Sequence, residues 1–391
     1  MPLLSDYHHF DGRDWERGTI QNVLAYQKTP ISGAMLLGVS GGAVFGYFTF
    51  AYQGHEPHAA LLINNTFTPF DTILKRLKLS ANEKTTGRAP RAVEHVTGAL
   101  EAGKPAIVWA DVYGMPYNLL GTNDAEWAMM PVVVYGYDEA ADRVWIADRS
   151  GAPLSVTPAE LAAARGRTAK AKNRLVTLGE PDERALKSAA EAGIADTITF
   201  MREGAPKGAK EHWGLLGLQH WADLMTDTKN DRGWTKLFGG ALLNGLLTAL
   251  YSIEIRTVEG AGRAQFADFL DEAAALLENP ALTSAAEAYR AAVPAWRALA
   301  DALLPDDVPL LQEAKMLERS ARAAFLQDGM ARLEERRTIK ARLDAIREEA
   351  RAEFPLNEGE TAALFESIRA AILRVHDAEK AAVDALAAAQ K

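Results

Sequence analysis

PVVVYGY (131–137), DEAAD (138–142) and RVWIA (143–147) follow one another without a break in the first half of the chain. The outer two segments are rich in valine, isoleucine and aromatic residues, which favour strands. The acidic middle segment has the composition of a turn. The stretch therefore predicts two strands joined as a hairpin, with the first strand buried.

Strands and helices are mixed around this hairpin. Residues 105–110 (PAIVWA) predict a second buried strand, and residues 44–50 (VFGYFTF) predict an aromatic one. Thr157 and Glu160 have the spacing of a capping box at the start of a helix. Helices are also predicted upstream, at residues 15–27 behind Asp14 as N-cap, 69–79 and 92–102.

The composition changes after about residue 178. Gly179-Glu180-Pro181 disfavours continuous structure, and beyond it alanine, glutamate, leucine and arginine dominate. Apolar residues at helical spacing predict helices near residues 266–277 and 310–324, and the charged stretch 334–354 is typical of a solvated helix. The fold class predicted is α+β, with an N-terminal domain at 1–178 and an all-α domain at 179–391.

Composition excludes several kinds of site and partner. The 391 residues carry a formal net charge of -9, which argues against nucleic acid as the main partner. There is no cysteine, so the chain itself cannot form disulfides, a cysteine-ligated zinc site or an iron–sulfur cluster. No signal-peptide pattern opens the sequence, and no apolar run is predicted to reach membrane-spanning length, because the longest, near 34–39 and 132–134, are far too short. These features predict a soluble, cytoplasmic protein.

Several motifs, taken in order, resemble one family. The N-terminal half carries YHHFDGRDWE (7–16), QNVLAY (21–26), ISGAMLLGVSGG (31–42), DVYGMPY (111–117), VVVYGYD (132–138) and IADRS (146–150). The C-terminal half carries HWGLLGL (212–218) and GAGR (260–263), followed by FL (269–270). Their order and spacing resemble the butirosin biosynthesis protein H family.

This resemblance implies a papain-like N-terminal domain, of the cysteine-peptidase type, followed by a helical domain. It also implies an acyltransferase that moves an acyl group from a carrier-protein thioester to an aminoglycoside amine. The implied mechanism is that of a Cys–His–Asp triad, in which a thiolate at a helix N-terminus attacks the thioester and a histidine moves the proton.

The sequence lacks the residues that this mechanism needs at the cysteine and histidine positions. Asp14 and Trp15 stand where the family has a His-Cys pair, and Met130 stands where the catalytic histidine is expected. The family's Ser-Glu pair reads Ser32-Gly33 here. Asp148 alone matches the triad, so the catalytic positions are degenerate and no residue is assigned a catalytic role by the family mechanism. We nevertheless expect Trp15, Met130 and Asp148 to lie close together, with Asp148 held by Arg149, Arg13 or a backbone amide.

Each candidate binding residue has a structural alternative. Asp14 and Trp15 would border a reshaped acyl pocket, or Trp15 is an ordinary core residue. Asp111, with Tyr113 and Tyr117 on the loop that follows, would contact a ligand amine or cap that loop.

In the helical half, a cleft is predicted on which four polar side chains would converge: His212, His220, Glu254 and Arg263. The alternative is that Glu254 pairs with an arginine. The histidine pairs 8–9 and 55–58 lack a third ligand, so neither a metal nor a cofactor is predicted. The glycine-rich run at 38–42 predicts a tight turn rather than a phosphate-binding loop.

Three hypotheses follow for the function. The first is an atypical acyltransferase-like protein of natural-product metabolism, which binds an acyl-carrier protein or a small amine or peptide-like ligand in an interdomain cleft. The second is a pseudoenzyme that serves as a binding or scaffold subunit, and the third is an enzyme with a new active site in the helical domain. Neither nucleic acid nor a membrane is predicted as a partner, and self-association stays open.

Overall fold

In a computed structural model, which describes residues 2–52, 56–65, 67–120, 127–254 and 260–390, the chain forms two compact units. Unit 1 consists of Met1–Leu36, Thr68–Leu186 and Ala321–Lys340. Unit 2 consists of Leu37–Phe67, Lys187–Ser320 and Ala341–Lys391. Each unit therefore combines three separate stretches of sequence, whereas a single division near residue 178 would make each domain continuous.

Unit 1 is built on a six-stranded antiparallel sheet. The strand order is β3-β8-β4-β5-β6-β7. The six strands are β3 (Ala81–Lys84), β4 (Ala106–Asp111), β5 (Met129–Asp138), β6 (Arg143–Ala147), β7 (Leu154–Val156) and β8 (Leu175–Leu178). The predicted hairpin is confirmed as β5 and β6, with Asp138 opposite Arg143.

The helices whose ranges lie wholly in unit 1 pack on or beside this sheet. They are α1 (Trp15–Tyr26), α3 (Pro69–Arg76), α4 (Ala89–Glu101) and α5 (Pro158–Gly166). Helix α1 packs against β5. The predicted capping box of α5 is present in both directions, because Glu160 N donates to the Thr157 hydroxyl and Thr157 N donates to the Glu160 carboxylate.

Unit 2 combines a two-stranded ribbon with helices. Strand β1 (Ala43–Phe50) pairs antiparallel with β2 (His58–Asn64). Helix α2 (Gly33–Val39) precedes the ribbon, and Gly41 and Gly42 make the predicted tight turn with φ values of 113° and 74°. Such angles favour glycine because a Cβ makes them costly.

Further helices follow in the C-terminal part of the chain. They are α6 (Leu186–Glu203), α7 (Gly214–Thr226), α8 (Trp234–Phe238), α9 (Leu242–Glu254), α10 (Arg263–Leu277), α11 (Ala281–Leu303), α12 (Pro309–Asp328), α13 (Leu333–Ala352) and α14 (Glu358–Ala389). Helices α10, α11 and α14 pack together around buried aromatic residues that include Phe266, Tyr289 and Trp296. The molecule is therefore α+β with a helical C-terminal region.

One helical stretch is apolar over a greater length than the sequence pattern predicts. The stretch Trp234–Glu254 is long and apolar enough to cross a membrane by length and composition alone, so the prediction that no apolar run reaches that length is wrong. Half of the apolar window is buried inside the protein. Core helices of soluble proteins pass the same test, and α9 packs against β2 and α11 in this way.

Candidate functional site

The start of helix α1 is fixed by its cap and by two glycines. The Asp14 carboxylate accepts hydrogen bonds from the backbone amides of Glu16 and Arg17, both at 3.1 Å. Its other oxygen forms an ion pair with the Arg17 guanidinium at 2.8 Å. A Cβ on Gly12 would lie 2.3 Å from the Gly18 carbonyl oxygen, so the incoming chain can approach the helix only with glycine there. Asp14, a predicted binding residue, is therefore occupied as a helix cap.

Asp148 follows β6 and is buried with three kinds of donor around it. Its Oδ1 accepts the Arg149 backbone amide at 2.7 Å and Arg149 Nε at 3.2 Å. The Tyr117 hydroxyl donates to Oδ2 at 3.2 Å. Of the three partners predicted for this carboxylate, the Arg149 side chain and a backbone amide are confirmed, whereas Arg13 donates to the Arg149 carbonyl oxygen. A buried carboxylate without such partners would be costly.

Arg149 connects Asp148 to Trp15. The Arg149 guanidinium carbon lies 4.0 Å from the centroid of the Trp15 ring and 4.9 Å from that of Phe325. Its Nη2 donates to Asn118 Oδ1 at 2.5 Å. Trp15 is only 8% exposed, so this cation–π contact is formed away from bulk water, where it is stronger. We call Trp15, Tyr117, Asp148, Arg149 and Phe325 the aromatic–arginine cluster.

Tyr117 is fully buried in this cluster. Burial, followed by the neighbouring Asp148 carboxylate, raises the pKa of Tyr117 well above its usual value. The phenol therefore keeps its proton and acts as a donor to Asp148. Its ring stacks on Phe325 with centroids 6.3 Å apart.

Met130 lies on the strand next to β6. It is half-buried near the start of β5, where it pairs with Ala110 of β4. Val133 of β5 is opposite Ala147 of β6, so Met130 lies at the same end of the hairpin at which Asp148 follows β6. The close approach of Met130 to Trp15 stays a prediction.

Asp111 ends strand β4 and organises the segment that follows. Its Oδ1 accepts the Ala128 amide at 2.9 Å and the Tyr113 amide at 3.3 Å. Its Oδ2 lies 3.6 Å from Arg167 Nε. These bonds are those of a loop cap, the structural alternative for Asp111, and they leave Tyr113 half-buried on the same loop.

The histidines of unit 2 form a pair. His212 Nδ1 lies 3.0 Å from the Tyr47 carbonyl oxygen, which can only accept, so Nδ1 carries a hydrogen. The ring centroids of His212 and His220 are 5.3 Å apart. Burial, and then His212, lower the pKa of His220 and favour its neutral form.

Glu254 and Arg263 are engaged in separate ion pairs. Both carboxylate oxygens of Glu254 accept from Arg319, the closest at 2.6 Å. Arg263 is fully buried and its Nε donates to Glu379 at 2.6 Å. Pairing with an arginine is the alternative role that the sequence predicts for Glu254, and the structure has that pair. Because Glu254 and Arg263 form ion pairs with different partners, these two side chains do not line one cleft together with His212 and His220.

No group of three or more histidine, aspartate or glutamate side chains suited to a metal ion occurs among the described residues. His55, one member of the spaced histidine pair, lies outside the described residues.

The sequence pointed to part of the aromatic–arginine cluster only. The family motif identifies Asp148 and Trp15, Arg149 is predicted as a partner of Asp148, and Tyr117 is predicted as a binding residue on the loop after Asp111. Phe325 was not identified, because its helix lies far along the chain in a segment whose pattern indicates only a helix. No sequence signal joins that segment to β6.

Comparison with known families matches two parts of the chain. Residues 14–149 match the family model described as butirosin biosynthesis protein H, N-terminal. Residues 159–307 match a domain of unknown function (DUF4872). No curated protein matches the chain.

Proposed function

Because the chain belongs to the butirosin biosynthesis protein H family, a family of secondary-metabolite biosynthesis, we propose that it binds a small ligand at the aromatic–arginine cluster and forms no acyl-enzyme. The family's expected ligands are an acyl thioester, carried by pantetheine or a carrier protein, and the amine that accepts the acyl group. The proposal includes a papain-like arrangement of unit 1, which the packing of α1 against the antiparallel sheet supports.

The stacking of Arg149 on Trp15 is the observation that carries this proposal. In the family mechanism the first residue of the helix supplies a thiolate and the carboxylate orients an imidazole. Here the first residue is a buried indole covered by a guanidinium, and Asp148 is bound by Arg149 and Tyr117. In place of the thiolate and imidazole needed for covalent transfer, the cluster has a guanidinium and an indole. These groups can bind a charged or aromatic ligand without forming a covalent bond.

Acyl transfer on such a site would proceed by direct attack. The amine nitrogen would bond to the thioester carbonyl carbon, the C–S bond would break, and the amine proton would leave with the thiol. Holding the two reactants together accelerates such a step without a protein nucleophile.

Intact-protein mass spectrometry with a thioester tests the proposal. We expect the mass of the protein to stay unchanged after incubation with acetyl-pantetheine, while calorimetry detects acetyl-pantetheine or a small amine binding at one site. Arg149→Ala should weaken that binding, whereas Arg143→Ala, at an exposed arginine beside Trp145 of the same sheet, should not. A stoichiometric acetyl adduct that hydroxylamine removes would overturn the proposal.

A further inference from the structure

Arg336 of helix α13 is a second buried guanidinium beside the aromatic–arginine cluster. It is only 7% exposed, and its Nη1 donates to the Tyr117 carbonyl oxygen at 2.8 Å. Its guanidinium carbon lies 4.7 Å from the centroid of the Phe325 ring. In the described part of the chain its Nε is buried without a hydrogen-bond partner.

Among the residues that the structure describes, no carboxylate forms an ion pair with Arg336. Asp148 is bound to Arg149, and the partners of Arg336 within the described residues are a neutral carbonyl and an aromatic ring. Burial, and then the neighbouring Arg149, lower the pKa of Arg336 to about 10, so it is still charged at neutral pH. A buried cation without a counter-charge is unfavourable, which makes this position one that an anion would stabilise.

We propose that Arg336 binds an oxyanion of a small ligand, a carboxylate or a phosphate, next to Phe325. A guanidinium offers a planar set of donors that matches two oxygens of one group, and the unused Nε belongs to that set. The ring of Phe325 beside it suits an apolar carbon skeleton, which favours an organic acid over inorganic phosphate. The inference rests on the proposed function, because it names the ligand class of the same site.

Calorimetric titration with acetate, butyrate and inorganic phosphate tests this inference. We expect wild-type protein to bind butyrate more tightly than acetate, and Arg336→Gln to weaken binding by about tenfold or more, as expected for loss of a charged hydrogen bond. Arg143→Gln is the matched control, since Arg143 also lies over a ring but is exposed, and it should bind like wild type.

The other outcomes are equally decisive. Tighter binding of phosphate than of butyrate, lost in Arg336→Gln, would support the oxyanion site and assign it to a phosphate source. Failure of all three anions to bind the wild type, or equal binding by Arg336→Gln, would overturn the inference.

Arg336→Lys keeps the test valid if Arg336→Gln does not fold. Lysine retains the charge but presents no planar fork, so its binding should be weaker than that of wild type while its melting temperature stays near it. A lysine variant that binds as well as the wild type would overturn the assignment to the guanidinium. The readouts also separate the two proposals, because an acetyl adduct contradicts the proposed function, whereas absent anion binding contradicts only this inference.

Discussion

A single residue, Arg149, changes the chemistry that the family scaffold can support. It neutralises the one carboxylate that matches the triad and covers the ring at the nucleophile position. Restoring the triad would therefore require more than replacing the residues at the cysteine and histidine positions.

Trp15→Cys combined with Met130→His tests this point. We expect acyl transfer from a thioester to an amine to rise by less than about a hundredfold over background, the lower end of what one positioned acid–base residue contributes. The reason is that Asp148 stays bound to Arg149 and Tyr117 and is not available to orient the new imidazole. The rate of acyl transfer is measured by detecting the acylated amine with mass spectrometry, and Trp15→Cys alone is the control. Efficient turnover by the double variant would show that the scaffold had kept a usable acyl pocket.

The buried ion pair of Asp148 and Arg149 is also expected to stabilise the folded protein. Both residues are buried, so Asp148→Ala removes the carboxylate that balances the charge of Arg149 and should lower the free energy of unfolding by about 3–5 kcal/mol. Urea unfolding followed by circular dichroism measures this loss. Asp71→Ala removes an exposed partner of Arg174 in the same unit and should cost about 1 kcal/mol or less. If both variants lost the same free energy of unfolding, the buried pair would contribute no more to stability than the exposed pair does.

At the scale of elements, one buried ion pair joins several parts of unit 2. Arg263, at the start of α10, donates to Glu379 of α14 and to the carbonyl oxygens of Val44 in β1 and Ile63 in β2. Trp296 of α11 donates to the same Glu379 oxygen at 2.6 Å. The pair thus connects three helices with the ribbon through hydrogen bonds inside an apolar core.

Glu379→Leu should destabilise unit 2 strongly. Because it leaves the fully buried Arg263 without a counter-charge, we expect a loss of about 3–5 kcal/mol, part of which Arg263→Met in the same chain should restore. Thermal and urea unfolding measure both effects. Asp384→Asn, on the same helix but in an exposed pair with Arg202, should cost no more than about 1 kcal/mol. If the double variant were less stable than Glu379→Leu, the buried pair would not be the source of the loss.

The elements that the sequence predicts are those specified by neighbouring residues. The β5–β6 hairpin has its strands and turn within 19 consecutive positions, 129–147, and the capping box of α5 spans Thr157 to Glu160. The hydrogen bond from Arg336 to Tyr117 joins positions 219 apart. No periodicity or cap encodes such a contact, so the part of the site contributed by α12 and α13 could not be predicted from the sequence.

At the scale of the whole molecule, the composition change near residue 178 predicts the change from mixed to helical structure but not the membership of the two units. Residues 37–67 contain strands, yet their contacts with α7 and α9 place them in unit 2. Residues 321–340 are helical, yet they complete unit 1 through Phe325 and Arg336. Hydrophobic patterns identify which residues are buried but not which core they join.

A fragment of residues 1–178 should therefore not fold into a stable domain. It lacks Phe325, on which Arg149 and Tyr117 pack, and it carries the ribbon β1–β2 without its helical partners. We expect poor chemical-shift dispersion in its NMR spectrum and no cooperative melting, whereas the full chain melts cooperatively. Adding residues 321–340 as a separate peptide should not recover folding as well as the intact chain does. A cooperatively folded 1–178 fragment would instead support a continuous N-terminal domain.

Because the segments of the two units alternate along the chain, unit 1 can finish folding only late in synthesis on the ribosome. Unit 1 cannot be completed until residue 340 has left the exit tunnel, which at about 5–20 residues per second takes on the order of 20–70 s. During this interval Tyr117, Arg149 and strand β7 lack the contacts that the last segment supplies. The nascent chain of this protein is therefore a candidate client for chaperones that protect unfinished sheets, more so than a protein of the same length whose domains follow one another.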